Sequence, residues 1–348
     1  MQCISKLILC LIVFSMLFLS CSRDDDKNVV VAYIALDMDL SMPILAEFEK
    51  QTGIKVLAKF DDELTKTTGL VNAIIGMKDN QKADVFWNNE IVQSIRLKLA
   101  GITEECKPEN AKDIPAEYKD NEGHWFGFAA RSRVILINKK RFAEKFGNAE
   151  YPTCFTDLYD EKWGAEAAYA TPLTGTNAAH FAAIYTKLGE KEAVKKFKEL
   201  KNTKIGIKTS NGQTMREVRD GQLSWCWTDT DDAAKAITEK GDELKMIYAS
   251  TWDKGSGALV LPNTICLLKN APHKEAAVKF INFILSKEVE IMLAQAPGKQ
   301  IPLKPGIRVE SIDDLNRIKD TAKLFDISFE DIGKEWDNSR KYLVAIFK

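Results

Sequence analysis

The sequence predicts an α/β protein built as two lobes, with parallel sheets flanked by helices on both faces. Three observations carry this expectation. Short apolar runs such as Val29–Leu36, Ile54–Phe60 and Ala83–Trp87 alternate with longer amphipathic stretches, the pattern of successive βα units. The chain has 348 residues, more than one typical domain. A strand near Phe128–Asn138 leaves a Gly/Trp-rich turn at Gly123–Gly127, and a second loop at Thr251–Gly257 brings the chain back. Residues 29–130 and 257–286 are therefore expected to form a discontinuous first lobe, residues 131–256 the second, and residues 287–348 C-terminal helices packed on both. Two lobes joined by a hinge place a ligand cleft between them.

The elements follow in order. Val29–Leu36 is apolar and β-branched, so it reads as a strand. Ser41 or Met42 opens a helix over Pro43–Gln51, with proline in its first turn and Gly53 closing it. Strand Ile54–Phe60 precedes helix Glu63–Met77, and strand Ala83–Trp87 precedes helix Glu90–Leu99, which Gly101 stops. Strands are expected at Arg133–Asn138, Ala167–Thr171 and Lys204–Lys208, and helices at Asn177–Leu188, Lys191–Lys201 and Gln213–Arg219. Strand Leu223–Trp227 leads through a polar turn into a helix ending near Ile237. Strands Lys245–Ser250 and Ala258–Leu268, helices His273–Leu285 and Val289–Ala294, and a helical end over Ile312–Phe347 complete the chain. In LPNT, Asn263 and Thr264 are expected to shape a turn.

Residues 1–20 read as a signal peptide. Lys6 gives a positive start, and Leu7–Ser20 is apolar apart from Ser15, too short a run for a membrane span. Small Ser20 precedes Cys21, and Phe18 stands three residues before the cysteine. An ordinary secretory peptide and an uncleaved anchor are the other readings. Residues 21–28 form a charged tether.

Composition excludes several classes. Lys+Arg 49 against Asp+Glu 50 leaves a net charge of −1, so no basic field calls for nucleic acid. Hydrophobic residues at 45% and charged residues at 28% describe an ordinary globule. With Cys3, Cys10 and Cys21 assigned to the amino-terminal segment, Cys106, Cys154, Cys226 and Cys266 remain, and spacing cannot choose among their pairings. No His/Cys cluster has zinc-ligand spacing.

The stretch Asp220–Ile237, DGQLSWCWTDTDDAAKAI, concentrates the chemistry. Asp229, Asp231 and Asp232 fall within five residues where a strand hands over to a helix, the place at which open α/β sheets bind ligands. Two readings stand: Asp229 or Thr230 caps the helix while Asp231 and Asp232 favour its positive end, or the carboxylates hold a cation or polar ligand. In LTGTNAAH, Gly175 makes a turn, Thr176 or Asn177 caps, and the free amides can take an anion. His180, one turn on, reads as core. Tyr33 ends a strand near the cleft, and Arg131 and Arg133 lie where the chain crosses into the second lobe. Trp87, Trp225 and Trp227 read as core.

Several segments together resemble the bacterial extracellular solute-binding proteins of ABC importers, on the branch that includes ferric-iron-binding proteins. They are LAEFEKQTGIKV at Leu45–Val56, KADVFWNNE at Lys82–Glu90, WFGFAARSRVILIN at Trp125–Asn138 and ALVLPNTICLLKNAPHKEAAVKFINFILSKEVE at Ala258–Glu290. The start resembles a lipoprotein signal cleaved before Cys21, which then carries the lipid. The resemblance implies a type II periplasmic-binding-protein (flytrap) fold that closes on its solute and docks on a permease with its ATPase subunit. It implies a monomer, an envelope location on the periplasmic or extracellular face, no enzymatic activity and no required cofactor. Ferric-binding members hold the metal with two adjacent tyrosines, and in some a histidine and a glutamate. Here Asp231 and Asp232 match the tyrosines, Asp37 falls where the histidine would be, and Asn89 with Glu90 stands near the glutamate position. The implied metal donors are therefore carboxylates of Asp231, Asp232, Asp37 and Glu90, hard ligands suited to Fe(III) and other hard cations. Further contacts are expected from Tyr33, Asn89, Arg131, Gly175, Thr176, Asn177 and Asp229.

Ferric iron or another hard cation is the favoured solute. An organic cation (a polyamine or a thiamine-like molecule) or a phosphorylated small molecule is the alternative within the same role. A lipid-anchored, metal-dependent enzyme is the remote alternative, and the chain has no P-loop, dinucleotide fingerprint, nucleophile elbow or HExxH to support it.

Overall fold

The apolar runs become buried strands and the amphipathic stretches cover them. The computed structural model describes residues 28–61, 68–308 and 323–348. The expected signal peptide, Cys21 and nearly all of the expected tether lie outside these residues, as do parts of the Glu63–Met77 and Ile312–Phe347 expectations. The first half contains β1 (Val29–Ile34), α1 (Met38–Thr52), β2 (Lys55–Phe60), α2 (Thr68–Gly76), β3 (Val85–Asn88), α3 (Val92–Leu99) and β4 (Thr103–Glu104). Next come β5 (Phe126–Asn138), α4 (Lys139–Phe146), β6 (Ala167–Ala170), α5 (Gly175–Leu188), α6 (Glu190–Lys201), β7 (Gly206–Lys208) and α7 (Asn211–Arg219). The chain continues through β8 (Trp225–Asp229), α8 (Thr230–Lys240), β9 (Leu244–Tyr248), β10 (Val260–Leu268), α9 (Lys274–Ile284), α10 (Lys287–Gln295) and α11 (Phe329–Phe347). Residues 323–328, expected to be helical, are not.

Two expectations about the sheets are corrected. The described strands form one path, β2-β1-β3-β10-β5-β8-β6-β7, with β4 on β10 and β9 on β5. β5 is long enough to serve both halves: Phe126–Ser132 pairs with β10, and Arg133–Asn138 pairs with β8 and β9. The sheet is also mixed. β1 pairs in parallel with β2 and β3, and β6 with β7 and β8, but β5 and β10 pair only antiparallel. The βα units impose parallel pairing. The strands that carry the chain between the halves are free of that constraint.

The crossing is irregular. Ala129 has φ 37°, and the β5–β10 register slips between Pro262 and Asn263. Asn263 and Thr264 are therefore strand residues rather than a turn. The buried carboxylate of Glu290 on α10 holds this bulge: it accepts from the backbone N–H groups of Ala129 (3.0 Å), Leu303 (3.0 Å) and Lys304 (2.8 Å). Asn263 Nδ2 donates to the Ala129 carbonyl and, at 2.7 Å, to Gln300 Oε1. α11 packs on α3 from one half and on α5 and α6 from the other.

α1 starts at Met38, five residues before Pro43, so the proline sits inside the helix rather than opening it. The buried Leu40 and Ser41 anchor that earlier turn, and the Asp37 carbonyl accepts from both their amides. Cys106, Cys154, Cys226 and Cys266 are all buried free thiols. No described helix is long and apolar enough to cross a membrane.

Candidate functional site

A cleft of about 540 Å³ lies between the two halves of the sheet. Four helix starts border it. Asp37 and Met38 come from α1; Thr174, Gly175, Thr176 and Asn177 from α5; Ser210, Asn211 and Gly212 from α7; Asp229, Asp231 and Asp232 from the β8–α8 junction. Gly175 has φ 58°, a left-handed conformation that a side chain would resist, and it turns the chain into α5. Asn89 and Arg131 complete the floor, with Arg216, Arg219 and Lys235 at the sides.

The β8–α8 junction is tighter than expected. Asp229 ends the strand and the helix begins at Thr230 with no intervening turn. Neither predicted cap operates. Asp229 occupies the N-cap position without a capping side-chain bond, and Thr230 Oγ1 accepts from the Ser132 N–H on β5 at 3.1 Å. The Asp229 carboxylate instead pairs with the guanidinium of fully buried Arg133, and accepts from Thr176 Oγ1 and, at 2.8 Å, from Asn211 Nδ2. Arg133 also donates to Asn177 Oδ1 at 3.0 Å and lies over the Trp227 ring at 5.7 Å. Thr176 and Asn177 are likewise not caps: Thr174 is the N-cap of α5, and Asn177 Nδ2 donates to the Ala170 carbonyl.

A second pair is more open. Arg131 Nε lies 3.2 Å from Asp231 Oδ2, while its other nitrogens donate to the Asn89 carbonyl (2.7 Å) and to Asn263 Oδ1 (3.2 Å). This guanidinium touches the cleft at one end and the irregular crossing at the other. Burial raises the Asp231 pKa; Arg131 opposes the rise, and Asp229 and Asp37 add to it. Oxygens of Asp229, Asp231 and Asp232 lie within 4.8 Å of one another. Converging carboxylate oxygens of this kind suit a hard cation. A loop approaches them closely: a Cβ on Gly298 would stand 3.2 Å from Asp231 Cβ.

Nine of the eleven expected contacts come together here: Asp37, Asn89, Arg131, Gly175, Thr176, Asn177, Asp229, Asp231 and Asp232. Tyr33 and Glu90 do not. Tyr33 packs into the core with Lys59 over its ring. Glu90 is buried, and its carboxylate accepts from Val92 N–H (2.6 Å) and Gln93 N–H (3.1 Å) at the start of α3. Asn211, Asn263 and Lys235 were missed. Asn211 follows the capping Ser210, and Asn263 sits in an apolar strand, so neither carries a local signal. Lys235 stands four residues after Asp231, a spacing that could have been read. A second acidic group, Asp120 with Glu122 and His124, is already matched by Lys98, whose Nζ lies 2.6 Å from Asp120 and 2.7 Å from Glu122.

Residues 80–335 match the family model described as bacterial extracellular solute-binding protein. The chain belongs to this family. The solute-binding protein is 25% identical to Iron uptake protein A1 of a Synechocystis species over 338 residues, covering 90% of this chain and 89% of the relative. It is 25% identical to the Fe(3+)-binding periplasmic protein of Serratia marcescens over 272 residues, covering 77% and 76%. Among solved structures, iron-bound HitA from Pseudomonas aeruginosa superposes with a TM-score of 0.78 at 23% identity, covering 91% of this chain and 99% of that one. AfuA from Actinobacillus pleuropneumoniae, with exogenous fructose-6-phosphate bound, gives a TM-score of 0.75 at 22% identity, covering 92% and 99%. The expected type II binding-protein fold is thus the observed one. The family description and the names of these relatives are those of solute-binding and uptake proteins.

Proposed function

We propose that this solute-binding protein captures a hard multivalent cation, ferric iron first, between its lobes and hands it to an ABC permease and its ATPase. The observation that carries the reading is the convergence of carboxylate oxygens from Asp229, Asp231 and Asp232 at one edge of the cleft. Asp229 is the more deeply buried and is engaged by Arg133, Thr176 and Asn211 together, so the more open Asp231 and Asp232 supply the donors, with Asp37 facing them from the other lobe. The names of the two relatives support iron as the cargo. Glu90 is not a donor in this scheme, because its carboxylate is turned into the start of α3.

The lobes in this reading are residues 29–130 with 257–286, and 131–256, with residues 287–348 packed on both. Closure turns about the Ala129–Asn263 crossing. Cys21 carries the lipid that anchors the protein to its membrane, and fatty-acid labelling that persists in Cys21→Ala would remove that assignment.

A phosphorylated small molecule is the second reading. It is favoured by the starts of α5 and α7, with Arg216 and Arg219 beside them, and by a cleft larger than a bare ion requires. Titration calorimetry on Asp231→Asn and Asp232→Asn separates the two. A cation should bind each variant about ten- to hundredfold more weakly, the loss of one charged contact. Wild-type cation affinity in both variants would sink the cation site. Tighter binding of a sugar phosphate to the variants would favour the second reading.

A further inference from the structure

Lys235 stands on α8, one turn beyond Asp231, and its ammonium reaches across the cleft. Nζ lies 3.6 Å from Asp39 Oδ2 and 3.9 Å from Asp37 Oδ2, both at the start of α1. α8 packs on α7, β5, β8 and β9, whereas α1 packs on β2, α9 and α10. The ion pair therefore joins the two halves. The Lys235 side chain is mostly enclosed, at 22% exposure, against 43% for Asp37 and 65% for Asp39. A Cβ on Gly298 would lie 3.8 Å from its Cε, which places its stem against the loop that also approaches Asp231.

We propose that Lys235 is an internal counter-ion of the cleft. It holds the lobes together when no cargo is present, and an arriving cation displaces it from Asp37 and Asp39. This rests on the cation reading and adds a selection rule. A monovalent cation that replaces the ammonium exchanges one positive charge for one, and gains nothing in Coulomb energy at these carboxylates. A divalent or trivalent ion gains one or two further charges at the same place. Lys235 therefore sets the charge a cargo must carry, and it discriminates against sodium, potassium and simple monoamines without any contact to them.

The test uses Lys235→Met, which keeps the unbranched stem as far as Cε and removes the charge, and Lys235→Arg, which restores the charge. Small-angle scattering of cargo-free protein at low salt should show a larger radius of gyration for the Met variant and the wild-type value for the Arg variant. High salt should move the wild type toward the Met variant, because a partly exposed pair is screened. Calorimetry with Mn(II) alone should show the Met variant binding about five- to tenfold more tightly than wild type. Methylammonium should bind the Met variant and not the wild type. Superimposable scattering of the wild-type and Met proteins at low salt, both folded by circular dichroism, would overturn the ion-pair closure. Opening of the Met variant without any gain in Mn(II) affinity would overturn the displacement. Failure of Mn(II) and Fe(III) to bind wild type or Met variant would reject the cation reading and the selection rule, while scattering alone would still decide the closure.

Discussion

Asp229 is the acidic residue of the TDTDD segment whose role the geometry separates from cargo binding, and removing its charge tests that separation. Its carboxylate is buried and engaged by Arg133, Thr176 and Asn211. In Asp229→Asn, Arg133 keeps Asn177 at 3.0 Å and weaker approaches to Thr176 at 3.4 Å and Asn211 at 3.5 Å, but its guanidinium loses its ion-pair partner. Breaking a buried pair from one side costs about 3–5 kcal/mol, and an amide that still accepts one hydrogen bond places the variant near 3 kcal/mol. A fold with about 5–15 kcal/mol to lose survives that change. The assay is urea unfolding of cargo-free protein followed by circular dichroism, with the slope held constant. Arg133→Met alone should cost a similar amount. The double variant should cost less than the sum, since each single change leaves the other charge stranded. If Asp229→Asn unfolds at the wild-type midpoint yet loses cargo affinity, then Asp229 is a cargo ligand and its pairing with Arg133 is incidental.

Two further expectations concern the scaffold. His180 is buried, stacked on Trp227, and bonded through Nε2 to the Thr251 carbonyl at 2.9 Å. Burial first, and then the charge of Arg133, hold its pKa well below 6.5. The unfolded chain therefore takes up a proton that the folded chain refuses. The contribution is complete above the unfolded value and is lost as pH falls toward the folded one. Stability should drop on acidification below about pH 6.5, and His180→Phe should flatten that part of the profile; an unchanged slope would exclude His180 as its source. Glu290→Gln replaces one of two accepting oxygens by a donor facing backbone N–H groups. It should cost about 1–3 kcal/mol in urea unfolding, and a neutral result would mean that the crossing does not depend on this carboxylate.

Much of the fold was legible because burial on both faces writes itself as apolar runs. Ala83–Trp87 and the Trp225–Trp227 strand needed only their composition and the turns around them. The antiparallel middle was not legible. Whether β5 and β10 pair in parallel depends on how the chain returns after the second half, and no local pattern records that. Pro43 misplaced the start of α1, because proline's preference for the first turn was outweighed by the burial of Leu40 and Ser41 upstream. At the site, the carboxylates were visible and their partners were not. An aspartate before a helix reads as a cap, yet Asp229 turns to an arginine 96 positions away. Glu90 failed for the opposite reason: adjacent to a cleft residue in sequence, it satisfies amides two and three residues ahead instead.

The pairing of acids with bases also determines what kind of recognition the cleft can perform. Asp37, Asp61, Asp229, Asp231 and Asp232 line it against Arg131, Arg216, Arg219 and Lys235, and Arg133 lies just behind. Five acids against five bases leave no strong field of either sign to draw a solute in from a distance. Selection must therefore act at contact range, by exchanging partners. Beside Lys235, which spans the cleft, Arg131 is placed at the crossing, where the same guanidinium holds Asp231, the Asn89 carbonyl and Asn263. In the cation reading, a cation taken up by Asp231 would weaken its claim on Arg131 and so loosen a tie that ends at the irregular crossing. An anion drawn to Arg131 would compete for that tie from the other side. In either reading, cargo would act on the crossing through Arg131, and the sign of the cargo would decide which of its bonds gives way.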